Sequence, residues 1–231
     1  MKPQTKRQYL KQLVSEKSAW CRSLTEEERK LGFLGWHERG YLPHCDFPGL
    51  VQLVTFPLHD SMPASRRGEW GHLLKIEDAR ERRDKLEQYL DRGVGNCVLG
   101  DPQAAKITED ALLYFHEERY ELLPWCIMPN HVHVLHHVWQ TPLSKNVQSW
   151  KICSASRASR LRGRAEPFWQ REYWDTFMRD AEQERKAIAY IENNPVKVRF
   201  CRSCEDWPYS SARFRDSFQR LELPKKVAYA G

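Results

Sequence analysis

The residues best placed to do chemistry are two histidines in the stretch 128–135, which reads MPNHVHVL. Pro129 and Asn130 favour a tight turn, and the alternation that follows them predicts a strand. Side chains two apart share a strand face, so His131 and His133 point the same way, about 7 Å apart at the backbone. Neutral imidazoles at that spacing can converge on one metal ion from about 2 Å. The alternative is two half-buried histidines that hydrogen-bond to the backbone, which is commoner for an isolated pair.

A second candidate group lies at the end of a predicted helix. Tyr190 and Asn194 are four residues apart, which puts them on one helix face. A phenol can attack phosphorus and hold the product covalently. The alternative is that Tyr190 is a core aromatic beside Ile188 and Ile191. Pro195 disfavours helical geometry at the residue before it and predicts that the helix ends at Asn194.

Four stretches together resemble the REP-associated tyrosine transposases, which are single-tyrosine HUH transposases. They are MPNHVHVL from Met128, FWQREYW from Phe168, YIENNPVK from Tyr190 and EDWPYSSAR from Glu205, in fitting order and spacing. A further stretch from Arg39, RGYLPHCDFPGLVQLVTFPLHDSMP, looks like the start of one branch of that family. The resemblance covers most of the chain after Arg39.

The resemblance implies a reaction and a substrate. Tyr190 would attack single-stranded, hairpin-bearing DNA with REP-like palindromes, leaving a 5′-phosphotyrosine and a free 3′-hydroxyl. His131 and His133 would bind a divalent metal, and Asn194 would complete the site, with Glu192 and Asn193 as rival ligands. Two imidazoles and an amide suit Mn²⁺ better than Mg²⁺, although Mg²⁺ also remains open.

Two other functions are compatible with parts of this pattern. One is a non-catalytic nucleic-acid-binding module on an RRM-like sheet, which would need neither the histidine pair nor the tyrosine. The other is a metal-dependent phosphodiester hydrolase that uses water and forms no covalent adduct. The combination of His131, His133 and Tyr190 argues against the binding module, and the absence of a covalent adduct would distinguish the hydrolase.

Positive charge is concentrated in one segment. The net charge of the 231-residue chain is +6, and residues 143–165 carry six basic residues and no acidic one. A local basic patch on a neutral body suits a polyanion, although a solvated helix face is the alternative. The candidate DNA contacts are Lys145, Lys151, Arg157, Arg160 and Arg164, together with Lys197 after the tyrosine motif.

Composition indicates a chain that works in the cytoplasm, at the nucleoid if DNA is the partner. The chain is 41% hydrophobic with nine Trp, which is enough for a packed core. No apolar run approaches the about 20 residues of a membrane span, and no membrane partner is expected. Seven scattered cysteines suit free thiols in a reducing compartment.

The order of predicted elements indicates the fold class. The predicted order is strand, helix, strand, strand, helix, strand and helix. This order predicts an α+β fold with a ferredoxin-like or RRM-like antiparallel sheet. Residues 1–38 are expected to form a helical extension, residues 39–215 the HUH domain with an inserted helix at about 73–92, and residues 216–231 a tail. A monomer and a homodimer remain open, as does the use of Tyr190 within its own subunit.

Overall fold

The computed structural model describes residues 22–39, 42–63, 65, 67–76, 79–162 and 167–223. In chain order, its main elements are α1 (Glu26–Leu31), β1 (Gly35–Arg39), β2 (Leu42–Asp46), β3 (Val51–Pro57), α2 (Arg67–Leu74), α3 (Ala79–Asp91), α4 (Pro102–Leu113), β4 (Tyr120–Met128), β5 (His131–Val138), α5 (Leu143–Arg162), β6 (Trp174–Phe177) and α6 (Ala181–Lys197). Among these described residues, no helix is long and apolar enough to cross a membrane.

The centre of the fold is a four-stranded sheet in the order β4–β5–β3–β6, with every neighbouring pair antiparallel. With α4 after β3 and α5 after β5, this is the ferredoxin-like arrangement, and the predicted α+β class is confirmed. β3 is an interior strand, as its nearly continuous apolar run predicts, and all seven of its residues are buried.

The two faces of the sheet bury different helices, and β5 contributes to both. Val132 and Val134 belong to the larger core, which α4 and α5 cover with residues such as Trp150. Leu135 belongs to a second core, which α6 covers with Ile191. This division follows from alternation along the strand, because successive side chains point to opposite faces. The face of Leu135 is also that of His131 and His133.

Residue types explain several local features of the fold. α4 begins after Asp101, whose side chain accepts hydrogen bonds from the first free amides of the helix, and Pro102 is its first residue. α5 spans Leu143–Arg162, and its buried residues Leu143, Val147, Trp150 and Ala158 recur at helical spacing. The pairing of β4 with β5 shifts register between Leu122 and Trp125, around Pro124, which has no amide to donate to the neighbouring strand. The six cysteines in the described part of the chain are free.

The inserted helix predicted at about 73–92 is wrong in its extent, because two helices occupy this region. α2 ends at Leu74, where the amides of Lys75 and Ile76 turn back to carbonyls three residues earlier. The guanidinium of Arg82 then donates to the Ile76 carbonyl at 2.7 Å. A side chain thus satisfies a carbonyl that a continuous helix would have bonded to an amide. α3 ends at Asp91, two residues before Gly93, which has a left-handed φ of 65°.

The helical extension predicted for residues 1–38 is wrong from Gly35 onward. α1 begins at the Thr25 capping box and ends at Gly32, which has a left-handed φ of 95°. Residues 35–39 then form β1, which pairs with β2 in a separate two-stranded sheet. Residues 1–21 and the last part of the tail, 224–231, lie outside the described residues. The domain boundaries at 38/39 and 215/216 stay predictions.

Candidate active site

The histidine pair lies at the start of β5, on the sheet face that α6 covers. Both side chains are buried, and their Nε2 atoms are 3.0 Å apart. The ring planes are nearly perpendicular, at 80°. The other nitrogen of each ring contacts a side chain, Asn130 Oδ1 at 2.7 Å for His131 and Thr55 Oγ1 at 2.8 Å for His133. These contacts differ from the backbone hydrogen bonds expected of purely structural histidines, and they leave the two Nε2 atoms facing each other.

α6 brings a phenol and an amide to the same point. The Tyr190 hydroxyl lies 3.3 Å from His133 Nε2, and Asn194 Nδ2 lies 3.4 Å from it. Asn194 Nδ2 also donates to the Tyr190 hydroxyl at 3.2 Å. Asp180 caps the beginning of this helix by accepting from the backbone amide of Gln183 at 2.7 Å. Both groups of candidate residues therefore meet in one site, formed within a single chain.

The prediction that Pro195 ends the helix at Asn194 is wrong, since α6 continues to Lys197 with the proline inside it. Proline removes only its own donor from the helical ladder. The ladder resumes at once, because the amide of Val198 donates to the Asn194 carbonyl at 3.2 Å. Asn194 therefore stays helical and keeps its side chain on the face of Tyr190.

The rival ligands point elsewhere. The Glu192 carboxylate accepts from the Ser211 hydroxyl at 2.8 Å and from Arg215 Nε at 2.7 Å. The Asn193 amide is exposed and donates to a carbonyl of its own helix at 2.8 Å. Of the three neighbouring candidates, Asn194 alone contacts His133 and Tyr190.

The two later histidines of β5 pack elsewhere as well. His136 lies on the opposite face, with ring centroids 5.8 Å from Tyr120 and 5.0 Å from Trp150. His137 Nε2 is 3.1 Å from the Gly49 carbonyl, at the far end of the strand. Neither residue reaches the site.

Electrostatics keeps the site histidines neutral. Burial, and then the positive charge of Lys197, lower the pKa of His131 from 6.5 to about 3. Burial, the neighbouring His131 and Lys197 also hold the pKa of His133 well below 6.5. Neutral imidazole is the form that binds a metal ion.

Helix α3 forms a wall of the site that the sequence did not reveal. The Glu87 carboxylate hydrogen-bonds to the Tyr190 hydroxyl, and burial, Glu87 and Asp91 together raise the pKa of that phenol. Lys197 joins α6 to the same helix through a 2.7 Å ion pair with Asp91, and its ammonium lies 5.9 Å from the Tyr190 ring centre. Glu87 and Asp91 share a helix face by their spacing, but no local pattern indicates that this face meets the tyrosine.

The site residues fit a divalent metal ion. Two ligands at right angles, each about 2.1 Å from an ion, lie about 3.0 Å apart, which is the observed separation of the two Nε2 atoms. Asn194 Oδ1 is buried and has no hydrogen-bond partner among the described residues. A half-turn of this amide exchanges its oxygen and nitrogen and brings Oδ1 toward His133. Within the described ranges, no three His, Cys, Asp or Glu side chains form a group that could hold a metal ion.

The candidate DNA contacts are divided between the two faces of the sheet. α5, which carries most of them, lies on the face opposite Tyr190. Lys145 and Arg160 are exposed there and Arg157 is half-buried, while Arg164 lies outside the described residues. Lys197 is the one candidate beside the site among those described. The axes of helices on opposite faces of a sheet are on the order of 20 Å apart, so the basic residues of α5 lie far from Tyr190.

Lys151 has a structural environment. Its ammonium lies 2.9, 3.3 and 3.2 Å from the carbonyl oxygens of Gln170, Arg171 and Glu172. It also lies 5.4 Å from the centre of the Tyr173 ring. The three donors of this group thus hold the segment that leads into β6, and its predicted role as a DNA contact stays a prediction.

Comparison with known proteins identifies relatives of the chain. Residues 100–194 match the family model described as Transposase IS200 like. A REP-associated tyrosine transposase of Haemophilus influenzae is 29% identical over 103 residues, or 40% of this chain and 58% of that protein. The REP-associated tyrosine transposase of Escherichia coli (strain K12) is 25% identical over 92 residues, or 40% of this chain and 54% of that protein. The chain therefore spans little more than half the length of these curated relatives.

A solved structure described as a REP-associated tyrosine transposase bound to a REP hairpin covers 85% of this chain and 96% of its own. Its TM-score is 0.48 and its sequence identity 15%, a likeness too low to support an inference about function. The resemblance to known transposases therefore rests on the sequence comparisons. The resemblance of this chain to the REP-associated tyrosine transposases is confirmed, and the segment matched by the IS200-like family model contains His131, His133, Tyr190 and Asn194.

Proposed function

We propose that this chain is a metal-dependent DNA transposase or recombinase that cleaves and rejoins single-stranded, hairpin-bearing DNA through a 5′-phosphotyrosine at Tyr190. One observation carries the proposal. The Tyr190 hydroxyl, the facing nitrogens of His131 and His133, and the Asn194 amide converge within hydrogen-bonding distance in one largely buried site. The related proteins described as transposases support the same activity.

Tyr190 is the nucleophile of the proposed reaction. Its oxygen attacks phosphorus while the bond from phosphorus to the 3′-oxygen breaks, and the leaving strand takes up a proton and becomes a free 3′-hydroxyl. The covalent bond keeps the 5′-end on the protein, so a 3′-hydroxyl can attack it in turn and rejoin the strand. The raised pKa keeps the phenol protonated at neutral pH. The Glu87 carboxylate, which already holds the phenol hydrogen, is placed to receive that proton during attack.

His131, His133 and Asn194 would hold the divalent ion. When bound, the ion supplies positive charge that polarises a phosphoryl oxygen. Two ring nitrogens and one amide oxygen suit Mn²⁺, and Mg²⁺ is the other candidate despite its preference for oxygen. The lowered pKa values of the two histidines keep both rings available as ligands at neutral pH.

The proposed DNA partner contacts both sides of the molecule. The relatives' names associate them with REP elements, and hairpin DNA of that kind is the proposed substrate. Lys145, Arg157, Arg160 and Arg164 would contact the phosphates of the hairpin, and Lys197 would contact the strand to be cut. Lys151 is a weaker candidate because it binds three carbonyl oxygens. Such a substrate places the protein in the cytoplasm, at the nucleoid.

A covalent-adduct assay tests the function. Incubation with end-labelled hairpin DNA carrying a single-stranded flank and Mn²⁺ should give a protein–DNA adduct that survives a denaturing gel. Tyr190→Phe should abolish the adduct and retain DNA binding. Tyr114→Phe is the matched control, because it removes the hydroxyl of a tyrosine at the end of α4 that is 39% exposed, and it should react normally.

The other outcomes of the assay separate the alternative functions. Cleavage without an adduct, or cleavage by Tyr190→Phe, would favour a hydrolase that uses water. Hairpin binding without any cleavage by the wild type would favour a non-catalytic binding module.

A further inference from the structure

The turn residue Asn130 connects α3 to His131. Its side chain is 2% exposed. Its Nδ2 donates to the Leu90 carbonyl at 3.0 Å and approaches the Val94 carbonyl at 3.4 Å. Its Oδ1 lies 2.7 Å from His131 Nδ1. An uninterrupted set of contacts therefore runs from the last turn of α3 to the imidazole.

The chemistry of these partners decides where the hydrogen on His131 lies. Carbonyl oxygens only accept hydrogen bonds, so the Nδ2 of Asn130 must face them and its Oδ1 must face the ring. An amide oxygen also only accepts, so His131 Nδ1 must carry the hydrogen. In the neutral ring the lone pair then lies on Nε2, the atom 3.0 Å from His133 Nε2.

The contrast with His133 makes this constraint specific. The partner of His133 Nδ1 is the Thr55 hydroxyl, at 2.8 Å. A hydroxyl can donate or accept, so Thr55 allows either tautomer of His133. His133 can therefore donate from Nε2 to His131, or turn its own Nε2 lone pair toward a ligand. His131 can adopt only the tautomer with its hydrogen on Nδ1 as long as Asn130 keeps this side-chain orientation.

We propose that Asn130 is a positioning residue that fixes His131 in the tautomer with its lone pair on Nε2, and that α3 supports the metal site through it. This inference rests on the proposed metal role of His131. α3 and Leu90 precede the segment 100–194 that matches the family model, so the support comes from outside that segment. The backbone carbonyl of Asn130 accepts from the Leu58 amide and the Ser61 hydroxyl, each at 2.8 Å. These two bonds hold the turn when the side chain is removed.

The tautomer can be measured directly on the metal-free protein. Long-range proton–nitrogen correlation spectra of ¹⁵N-histidine-labelled protein should show His131 with its hydrogen on Nδ1. Asn130→Ala should lose this preference, because it removes the acceptor oxygen that faces His131 Nδ1. A wild-type His131 with its hydrogen on Nε2 would overturn the proposal without any variant. An unchanged tautomer in Asn130→Ala would also overturn it.

Metal affinity provides the second measurement. Loss of a group that orients a ligand typically costs about 10–100-fold in metal affinity, so Asn130→Ala should weaken Mn²⁺ binding by that factor in calorimetric titration. Asn193→Ala is the matched control, because it removes the same side chain from an exposed position of α6, and it should bind Mn²⁺ normally. Equal Mn²⁺ affinities in Asn130→Ala and wild type would refute the proposal.

The experiments separate this inference from the proposed function. If the wild type binds Mn²⁺ but forms no adduct, the transposase reaction is refuted while the tautomer and affinity results still support the role of Asn130. If the wild type forms the adduct and Asn130→Ala has both an unchanged tautomer and unchanged affinity, the function stands and the role of Asn130 is refuted.

Discussion

Replacing Arg157 and Arg160 together by Gln should flatten the salt dependence of hairpin binding. Both residues lie on α5, on the sheet face opposite Tyr190. Each phosphate contact to duplex DNA contributes about 0.9 to the slope of log affinity against log salt, so losing two should reduce the slope by about 1.8. Between about 50 and about 200 mM salt, that change corresponds to a factor of about 12 in relative affinity. The variant should therefore lose most affinity at low salt.

Fluorescence anisotropy of a labelled DNA hairpin across a salt series measures this slope. The matched control is Arg185→Gln with Lys186→Gln on α6, which removes the same charge from side chains that are 73% and 75% exposed. If the variant with Arg157→Gln and Arg160→Gln kept the wild-type slope of log affinity against log salt, α5 would not contact phosphates. An equal change in the control would mean that net charge, and not the position of α5, governs binding.

The remaining predictions concern the histidines. His133→Ala should lose Mn²⁺ binding in calorimetry, because it removes a proposed ligand, and it should retain hairpin binding. His72→Ala, at an exposed position of α2, is the control. An unchanged Mn²⁺ affinity in His133→Ala would contradict the proposed metal site. Burial lowers the pKa of His136 from 6.5 to about 3. Between those values the unfolded chain binds a proton that the folded chain excludes, so acid should lower the free energy of unfolding by up to about 1.4 kcal/mol per pH unit for this residue. His136→Phe should lower the loss of stability between about pH 7 and about pH 5 by about 2 kcal/mol in urea unfolding, and an identical loss would contradict the lowered pKa.

The alternation of residues along β5 and the apolar stripe of α5 are enough to predict these two elements from the sequence. Alternation along β5 correctly separates Val132 and Val134 from His131 and His133, because strand geometry alone decides which residues share a face. The bounds of α5 follow from its apolar stripe and lack of breakers. These predictions hold because burial on the observed sheet agrees with the local preference.

The failures arise where individual hydrogen bonds, or the packing of one helix on another, decide the outcome. Between α2 and α3, the Ile76 carbonyl accepts from the Arg82 guanidinium, a contact that the periodicity of the sequence does not encode. The continuation of α6 through Pro195 depends on the amides that follow it. Glu87 reaches Tyr190 only because α3 packs against α6, and no spacing within either helix encodes that docking.

The location of Tyr190 beside the histidines of its own chain has a consequence for stoichiometry. If the proposed reaction is correct, each chain carries a complete site with one nucleophile and can hold only one 5′-end at a time. Adduct formation should then be first order in protein and saturate at one DNA strand per chain. Joining two different ends would require either two chains acting together, or a second 3′-hydroxyl entering the same site after the first has left. The lifetime of the covalent adduct would then determine which ends are exchanged.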